Sequence, residues 1–272
     1  MTGSDVYLLG RSQSEEERLR KQTQELTGEA RWLLDQLDIR KGDKAIDLGC
    51  GPQGVLDLLS ERVGPQGSVV GLEKSDQYIA SARKFVAERH LANVEVVQGD
   101  AKATKLPRGS FDVVFTRLVL VNVPEPEGVV KEMVALTRPG GMVASYEADY
   151  GPHFCDPPSP AWDRLFEVLQ AYSRATGIDL FVGRKTHRML RDAGIVDVQV
   201  RPVIHVYPPG KNRRTIFLDF IENIRGRAVA AGLVDESELT GLMEELRRHL
   251  EDPYTLVVSH LFFQVWGRKP KH

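Results

Sequence analysis

The sequence has few cysteines, no long apolar run and almost no net charge. Its 272 residues include two cysteines, too few for a disulfide framework or a cysteine-based metal site. The longest apolar runs, such as residues 118–123, are far shorter than the roughly 20 residues of a membrane span, and no apolar signal core opens the chain. These absences predict a cytoplasmic protein with reduced thiols and no membrane span.

The balance of charges argues against a polyanionic partner. The chain has 36 lysines and arginines against 38 acidic residues, a net charge of −2, so no broad cationic surface suits a nucleic acid or an anionic membrane. Its acids and histidines show no consistent ligand spacing, so we expect no metal. A chain of this length supports one α/β domain, and we expect its ligand to be a neutral or lipophilic small molecule.

Short apolar segments alternate with helical patterns through residues 41–150. The predicted strands are residues 44–48, 67–72, 94–97, 111–115 and 141–146. Strands that alternate with helices are typical of a doubly wound, mostly parallel sheet, so we predict a Rossmann-like α/β fold whose cofactor-binding core is this segment.

The remainder of the chain is expected to add to that core within one domain. A capping pattern followed by a long helix predicts an N-terminal helical cap over residues 1–40. After residue 150 strands and helices no longer alternate regularly, which predicts two helical lid insertions, at residues 151–195 and 208–255. A strand at 196–207 separates them, and a final strand is expected within residues 256–272.

The segment DLGCGPQG, residues 47–54, fits two kinds of cofactor. Gly49, Gly51 and Gly54 have the G-x-G-x-x-G spacing of dinucleotide-binding loops, but Asp47 stands two residues before the first glycine. A pyrophosphate at the start of a helix would be repelled by that acid, whereas a sulfonium and an ammonium group would be stabilised by it. Asp47 therefore favours S-adenosylmethionine, with a nicotinamide-type oxidoreductase as the alternative.

Two further acids follow the next predicted strands. Glu73 lies where a ribose diol needs a carboxylate acceptor, a requirement shared by both cofactors. Asp100, in Gly99-Asp100-Ala101, lies where a carboxylate accepts a hydrogen bond from an adenine amino group. Acids that end three consecutive strands predict one cofactor site at one edge of the sheet.

These motifs and their order resemble class I S-adenosylmethionine-dependent methyltransferases. The resemblance rests on residues 47–51, 73, 99–101, 111–112 and 138–141, and extends more weakly to residues 262–268. It implies a seven-stranded sheet whose last strand is antiparallel, and S-adenosylmethionine as the cofactor. The chain departs from many members at Gln53, where they have glycine.

The resemblance also implies a class of acceptor. Residues 182–184 and 193–194 resemble the ubiquinone and menaquinone biosynthesis methyltransferases and streptomycete natural-product enzymes, including the group that C-methylates the terpenoid part of teleocidin-type indole alkaloids. A hydrophobic small molecule of secondary metabolism is therefore the expected acceptor, and C-methylation of a terpenoid or prenylated acceptor is one candidate. The alternatives are O- or N-methylation of a quinone or other metabolite, and methylation of protein or RNA.

The resemblance assigns cofactor contacts to particular residues. Asp47, Gly49, Cys50 and Gly51 are expected around the methionine part, Glu73 on the ribose, and Asp100 with Ala101 on the adenine. Further candidates are Gln22, Lys74, Tyr78, Thr116 and Arg117. The Arg117 side chain has two expected roles, as an anchor for a carboxylate or as an ion-pair partner of Asp149, and we favour the ion pair.

Acceptor contacts are expected from aromatic residues near the lid and from the N-terminal cap. The candidates are Tyr7, Tyr150, Phe154, Trp162, Tyr172, Phe217 and Phe220. A general base is optional for methyl transfer, and Asp149, Glu147, His153 and His205 are the candidates by position. The long amphipathic N-terminal segment also predicts a possible homo-oligomer in which it caps a neighbouring subunit.

Overall fold

A computed structural model describes residues 25–271 and contains a seven-stranded sheet with helices on both faces. The strands are β1 Lys44–Leu48, β2 Ser68–Glu73, β3 Val94–Gln98, β4 Phe111–Arg117, β5 Thr137–Asp149, β6 Phe154–Asp156, β7 Val196–Val203, β8 Leu256–Val258 and β9 Leu261–Arg268. Their order in the main sheet is β3-β2-β1-β4-β5-β9-β7, and β9 is antiparallel to both of its neighbours. The predicted α/β fold with a reversed last strand is confirmed.

Helices cover the sheet and extend beyond its carboxyl-terminal edge. They are α1 25–35, α2 Leu56–Val63, α3 Asp76–Glu88, α4 Glu127–Leu136, α5 Pro160–Thr176, α6 Val182–Asp192, α7 Ile216–Ala230 and α8 Glu236–Glu251, with 3-10 turns at Leu120–Asn122 and Asn212–Thr215. Local sequence fixes α5 at both ends: Ser159 accepts a hydrogen bond from Trp162 N–H at 3.4 Å, and Gly177 ends the helix with φ of +75°.

Strand register determines which residues share a face of the sheet. Arg117, Tyr146, Gln264 and Arg201 lie opposite one another on β4, β5, β9 and β7, so their side chains lie on one face. Helix α1 packs there, because Glu29 pairs with Arg201 at 2.8 Å and its carbonyl accepts a hydrogen bond from Gln264 Nε2 at 2.7 Å. We call this the α1 face.

The region after residue 150 differs in detail from the sequence prediction. The predicted closing strand is interrupted at Ser259 and His260, so that β8 pairs with β6 in a separate two-stranded sheet while β9 enters the main sheet. Helix α6 packs on β5, β7 and β9. Helices α5, α7 and α8, which lie in the segments predicted as a lid, pack on one another.

Candidate functional site

Three backbone N–H groups of the glycine loop already have acceptors within the protein. Those of Gly49 and Cys50 donate to the Leu72 carbonyl at 2.7 and 3.1 Å. That of Gly51 donates to Glu73 Oε2 at 2.9 Å. A dinucleotide site needs such groups for its phosphates, so this loop is arranged for a different cofactor.

Asp47 accepts the hydrogen bond at the start of α2. Its Oδ2 lies 2.9 Å from Val55 N, and the side chain is buried. Burial raises the pKa of Asp47 to about 6, although the Val55 hydrogen bond and the charge of Arg117 oppose the rise. An acid in this position suits a cationic ligand group and disfavours a pyrophosphate, which argues against the oxidoreductase alternative.

The loop is closely packed on its protein side and open at Gly51. A Cβ on Gly49 would lie 2.5 Å from Val119 Cγ2, and a Cβ on Gly54 would overlap Asp47 Oδ2. The Cβ position of Gly51, which has φ of +59°, has no atom of the described residues within 4 Å. The methionine part of S-adenosylmethionine is predicted to lie on this open side of the loop.

Glu73 and Asp100 lie at the carboxyl-terminal ends of neighbouring strands, as predicted for ribose and adenine contacts. Glu73 Oε1 accepts hydrogen bonds from the N–H groups of Lys74 and Ser75 at 2.8 and 2.9 Å. Asp100, next to Ala101, pairs with Lys74 Nζ at 3.0 Å, and both side chains are about half exposed. The chemistry and spacing of these acids fit an adenosine, and their contacts with it remain a prediction.

Three other candidate cofactor residues adjoin this site in different ways. Arg117 Nη2 donates to the Gly54 carbonyl at 3.2 Å, which places the guanidinium beside the glycine loop. Thr116 is fully buried and donates through Oγ1 to the Leu48 carbonyl at 3.1 Å. Tyr78 is buried on α3. Of the three, Arg117 is the residue whose charged group lies beside the loop.

Asp149 does not pair with Arg117, and that expectation was wrong. The two oxygens of Asp149 lie 2.5 and 2.6 Å from Arg184 Nε and Nη2, and one also accepts from Gly151 N–H at 3.0 Å. Because Tyr146 is opposite Arg117 in the sheet, Asp149 projects to the other face. Its carboxylate is therefore directed away from the glycine loop.

Glu147 shares that opposite face and is fully buried. Its two oxygens accept hydrogen bonds from the N–H groups of Val119 and Val121 at 3.1 and 3.2 Å. Burial raises the pKa of Glu147 to about 7 against these backbone hydrogen bonds. Its contacts hold the 3-10 turn after β4 against the sheet.

Four of the predicted acceptor residues come together between the lid and the sheet. Trp162 of α5 and Phe217 of α7 have ring centroids 4.7 Å apart, and Phe220 lies 5.6 Å from Tyr150. The other two described candidates lie apart: Phe154 is about half exposed on β6, and Tyr172 packs under Arg227. The candidates Tyr7 and Gln22, and the N-terminal segment proposed for oligomer contacts, lie outside the described residues.

His153 lies in the middle of these aromatic rings. Its centroid is 4.3 Å from Trp162, 5.3 Å from Phe217 and 5.6 Å from His260. Neither ring nitrogen has a hydrogen-bond partner among the described residues. Burial, together with the charge of Arg213, lowers the pKa of His153 to about 3. The imidazole is thus neutral at physiological pH and a weak base.

Replacement of His153 by phenylalanine should make the protein less sensitive to acid. An unfolded histidine is protonated below about pH 6.5, whereas buried His153 stays neutral until about pH 3, so stability is lost as the pH falls through this window. Between pH 7 and pH 5, the unfolding free energy of the wild type should fall by about 2 kcal/mol more than that of H153F. Urea denaturation at both pH values measures this, and parallel losses would contradict it.

Three residues of this region, His260, Phe262 and Arg213, were not predicted as site residues from the sequence. His260 stacks on Tyr150 at 4.7 Å and lies 4.3 Å from Phe262, while the Arg213 guanidinium lies 5.6 Å from Phe262. The one available signal was the polar Ser259-His260 pair inside an otherwise apolar run.

Residues 25–271 were compared with the requirements of a membrane span and of a metal site. No helix in this range is long and apolar enough to cross a membrane. No group of three or more histidine, cysteine, aspartate or glutamate side chains in that range is placed to hold a metal ion.

Sequence relatives support the interpretation of the loop. Residues 39–194 match the family described as "Methyltransferase domain". An uncharacterised transposon protein of Streptomyces fradiae is 32% identical over 74% of this chain and 56% of its own length. A demethylmenaquinone methyltransferase of Geobacillus is 34% identical over 62% of this chain and 77% of its own length. The chain thus spans little more than half of the first relative.

Solved structures share the fold at low sequence identity. A phosphoethanolamine N-methyltransferase of Haemonchus contortus has a TM-score of 0.63 at 17% identity, over 99% of this chain and 60% of its own. A geranyl diphosphate C-methyltransferase of Streptomyces coelicolor has a TM-score of 0.56 at 15% identity, over 89% of this chain and 76% of its own. With the family match and the acids at the strand ends, the chain belongs to the class I S-adenosylmethionine-dependent methyltransferase family.

Proposed function

We propose that the chain transfers a methyl group from S-adenosylmethionine to a hydrophobic small-molecule acceptor of secondary metabolism. The main supporting observation is the aromatic cluster of Tyr150, Trp162, Phe217 and Phe220 between the lid and the carboxyl-terminal edge of the sheet. The three acids of the cofactor site lie at the same edge. A buried aromatic surface beside a cofactor site suits a flat or isoprenoid acceptor.

Asp47, Glu73 and Asp100, with the glycine loop, are the residues that would hold the cofactor, which when bound supplies an electrophilic methyl group on a sulfonium. The protein's part is to align the acceptor and exclude water, because a displacement in which charge disappears is favoured in a dry site. We assign no base role to Glu147 or Asp149, since both are engaged on the opposite face of the sheet.

Two acceptor types are consistent with this site. Aromatic faces stabilise cations, so methylation of a terpenoid or prenylated carbon is one form of the proposal. The relative that is 34% identical is a demethylmenaquinone methyltransferase, which favours a quinone-like ring as the other form. Both acceptors are apolar over most of their surface.

Replacement of Glu73 by glutamine should weaken binding of S-adenosylhomocysteine, the product of the proposed reaction, by about tenfold. The carboxylate holds the N–H of Gly51 and is the proposed acceptor for the ribose diol. Isothermal titration calorimetry measures the affinity. A matched control is Glu88→Gln on α3, whose carboxylate forms one exposed pair with Lys84 at 3.8 Å.

The transfer itself is tested with isotopically labelled S-adenosylmethionine and an extract from the source organism, followed by mass spectrometry. Label in an apolar small molecule would support the proposal and identify the acceptor. Label in protein or RNA alone would contradict the acceptor class. Equal affinity of E73Q and wild type for S-adenosylhomocysteine would contradict the assigned cofactor site.

A further inference from the structure

Buried polar atoms without hydrogen-bond partners are concentrated at one place in the described chain. Such atoms are rare in proteins, and a group of them calls for an explanation. Here they include Tyr146 Oη, both ring nitrogens of His153, His205 Nε2, Arg213 Nη1 and His260 Nδ1. All five residues lie near the carboxyl-terminal edge of the sheet, next to the aromatic cluster.

Four of these residues surround one ring, that of Phe262. The ring centroids of Tyr146, His205 and His260 lie 5.4, 5.9 and 4.3 Å from it, and the Arg213 guanidinium carbon lies 5.6 Å from it. Phe262 is opposite Ala148 in the sheet, two positions from Tyr146, so the group lies on the α1 face. This is the face that carries Arg117 and the cofactor loop.

Arg213 is the cation of this group, and its imidazoles are neutral. Burial lowers the pKa values of His153 and His260, and the charge of Arg213 adds to that effect. The side chain of Arg213 is 5% exposed. Its Nε donates to Tyr207 Oη at 3.0 Å and lies 3.7 Å from Glu25 Oε2, which leaves Nη1 without a partner.

The neighbouring arginine shows how a structural guanidinium is bound in this region. Arg214 donates to four backbone carbonyls, those of Tyr207, Leu250, Asp252 and Thr255, at 2.5 to 2.8 Å. Arg213 has the same chemistry, similar burial and no such set of carbonyls. A structural role therefore accounts for Arg214 and leaves Nη1 of Arg213 unexplained.

We propose that Arg213, with His260 and Tyr146, forms the specificity-determining site for an oxygen anion carried by a flat apolar acceptor. This inference rests on the proposed function and narrows its acceptor to a carboxylate, phenolate or enolate. A guanidinium binds an anionic oxygen by a charge-assisted hydrogen bond that is stronger than its bond to a neutral oxygen, and neutral imidazole and phenol groups can also donate to such an oxygen. The aromatic cluster contacts the apolar remainder of the acceptor.

The test compares two probes of one shape, 2-naphthoate and 2-naphthamide, by calorimetry on the full chain at pH 7.5 with saturating S-adenosylhomocysteine. The wild type should bind naphthoate at least about tenfold more tightly than naphthamide. In Arg213→Met, which keeps an apolar stem but no charge, this preference should fall to within about twofold. Equal affinities in the wild type, a preference for the amide, or an unchanged preference in R213M would overturn the inference.

Two more variants keep the test decisive. Arg214→Lys should lower the thermal midpoint, because backbone carbonyls lose donors, yet retain the preference for naphthoate. Tyr207→Phe removes the acceptor that orients Arg213 Nε and should reduce the preference several-fold even if R213M fails to fold. Naphthoate is also titrated in the absence of S-adenosylhomocysteine. If S-adenosylhomocysteine does not bind, the proposed function is contradicted. The preference for naphthoate over naphthamide tests the Arg213 site in either case.

Discussion

Replacement of Gly51 by alanine should weaken binding of S-adenosylhomocysteine by at least about 100-fold while the protein remains folded. The Cβ position of Gly51 has no atom of residues 25–271 within 4 Å and faces the space assigned to the cofactor, so a methyl group there would collide with the ligand and not with the described part of the protein. Its φ of +59° adds a cost of about 1–2 kcal/mol to the folded state. Calorimetry and urea denaturation measure the two effects separately.

Gly42 provides a matched control for that experiment. It has φ of +93° and no atom within 4 Å of its Cβ position, and it precedes β1, at the opposite edge of the sheet from the loop. Gly42→Ala should therefore lose a similar amount of stability and no affinity. If both variants bound S-adenosylhomocysteine as the wild type does, the open side of the loop at Gly51 would not be the cofactor site.

The first five strands were predictable because each carries its own signal. Strands β1 to β5 are short apolar segments bounded by glycine, proline or an acid, and each is followed by a helix or a turn. A buried parallel sheet requires such segments, so local sequence and tertiary structure agree in this half of the chain. The positions of the acids proposed to bind the cofactor were predictable for the same reason, since each lies at or next to the carboxyl-terminal end of a strand.

The second half was less predictable because tertiary contacts decide its boundaries. The apolar run 256–266 shows one strand pattern, but pairing with β6 on one side and with β5 and β7 on the other divides it at His260. The sequence pattern that indicated a lid helix at 182–192 is equally suited to a helix on the sheet, where α6 lies. Periodicity indicates that a helix has an apolar face but not which element covers it.

The face and the partners of the site side chains likewise depend on tertiary contacts that the sequence pattern does not reveal. Because side chains alternate along a strand, Glu147 and Asp149 were correctly predicted to share one face of β5. Which face they share depends on the register that places Tyr146 opposite Arg117. Likewise, Arg213 and Arg214 are adjacent arginines in the sequence, and only their contacts distinguish a guanidinium bound by four carbonyls from one with an unpartnered nitrogen.

Arg184→Met should lower the free energy of unfolding by about 2–3 kcal/mol, because it leaves the fully buried Asp149 carboxylate without a counter-charge. This loss is smaller than for a fully buried ion pair, because Arg184 is about half exposed and water partly replaces its interaction with Asp149. The backbone N–H groups of Gly151 and Arg184, at 3.0 and 3.2 Å, would still donate hydrogen bonds to the carboxylate. Urea denaturation at pH 7 measures the loss.

The adjacent residue on α6 provides the control for this prediction. Lys185 pairs with Asp179 at 2.5 Å, but both side chains are partly exposed, so Lys185→Met should cost less than about 1 kcal/mol. Adding Asp149→Asn to R184M removes the buried charge and should restore part of the stability. If R184M kept its stability and instead lost methyl transfer, Asp149 would act in the reaction, and its assignment to the structural face would be wrong.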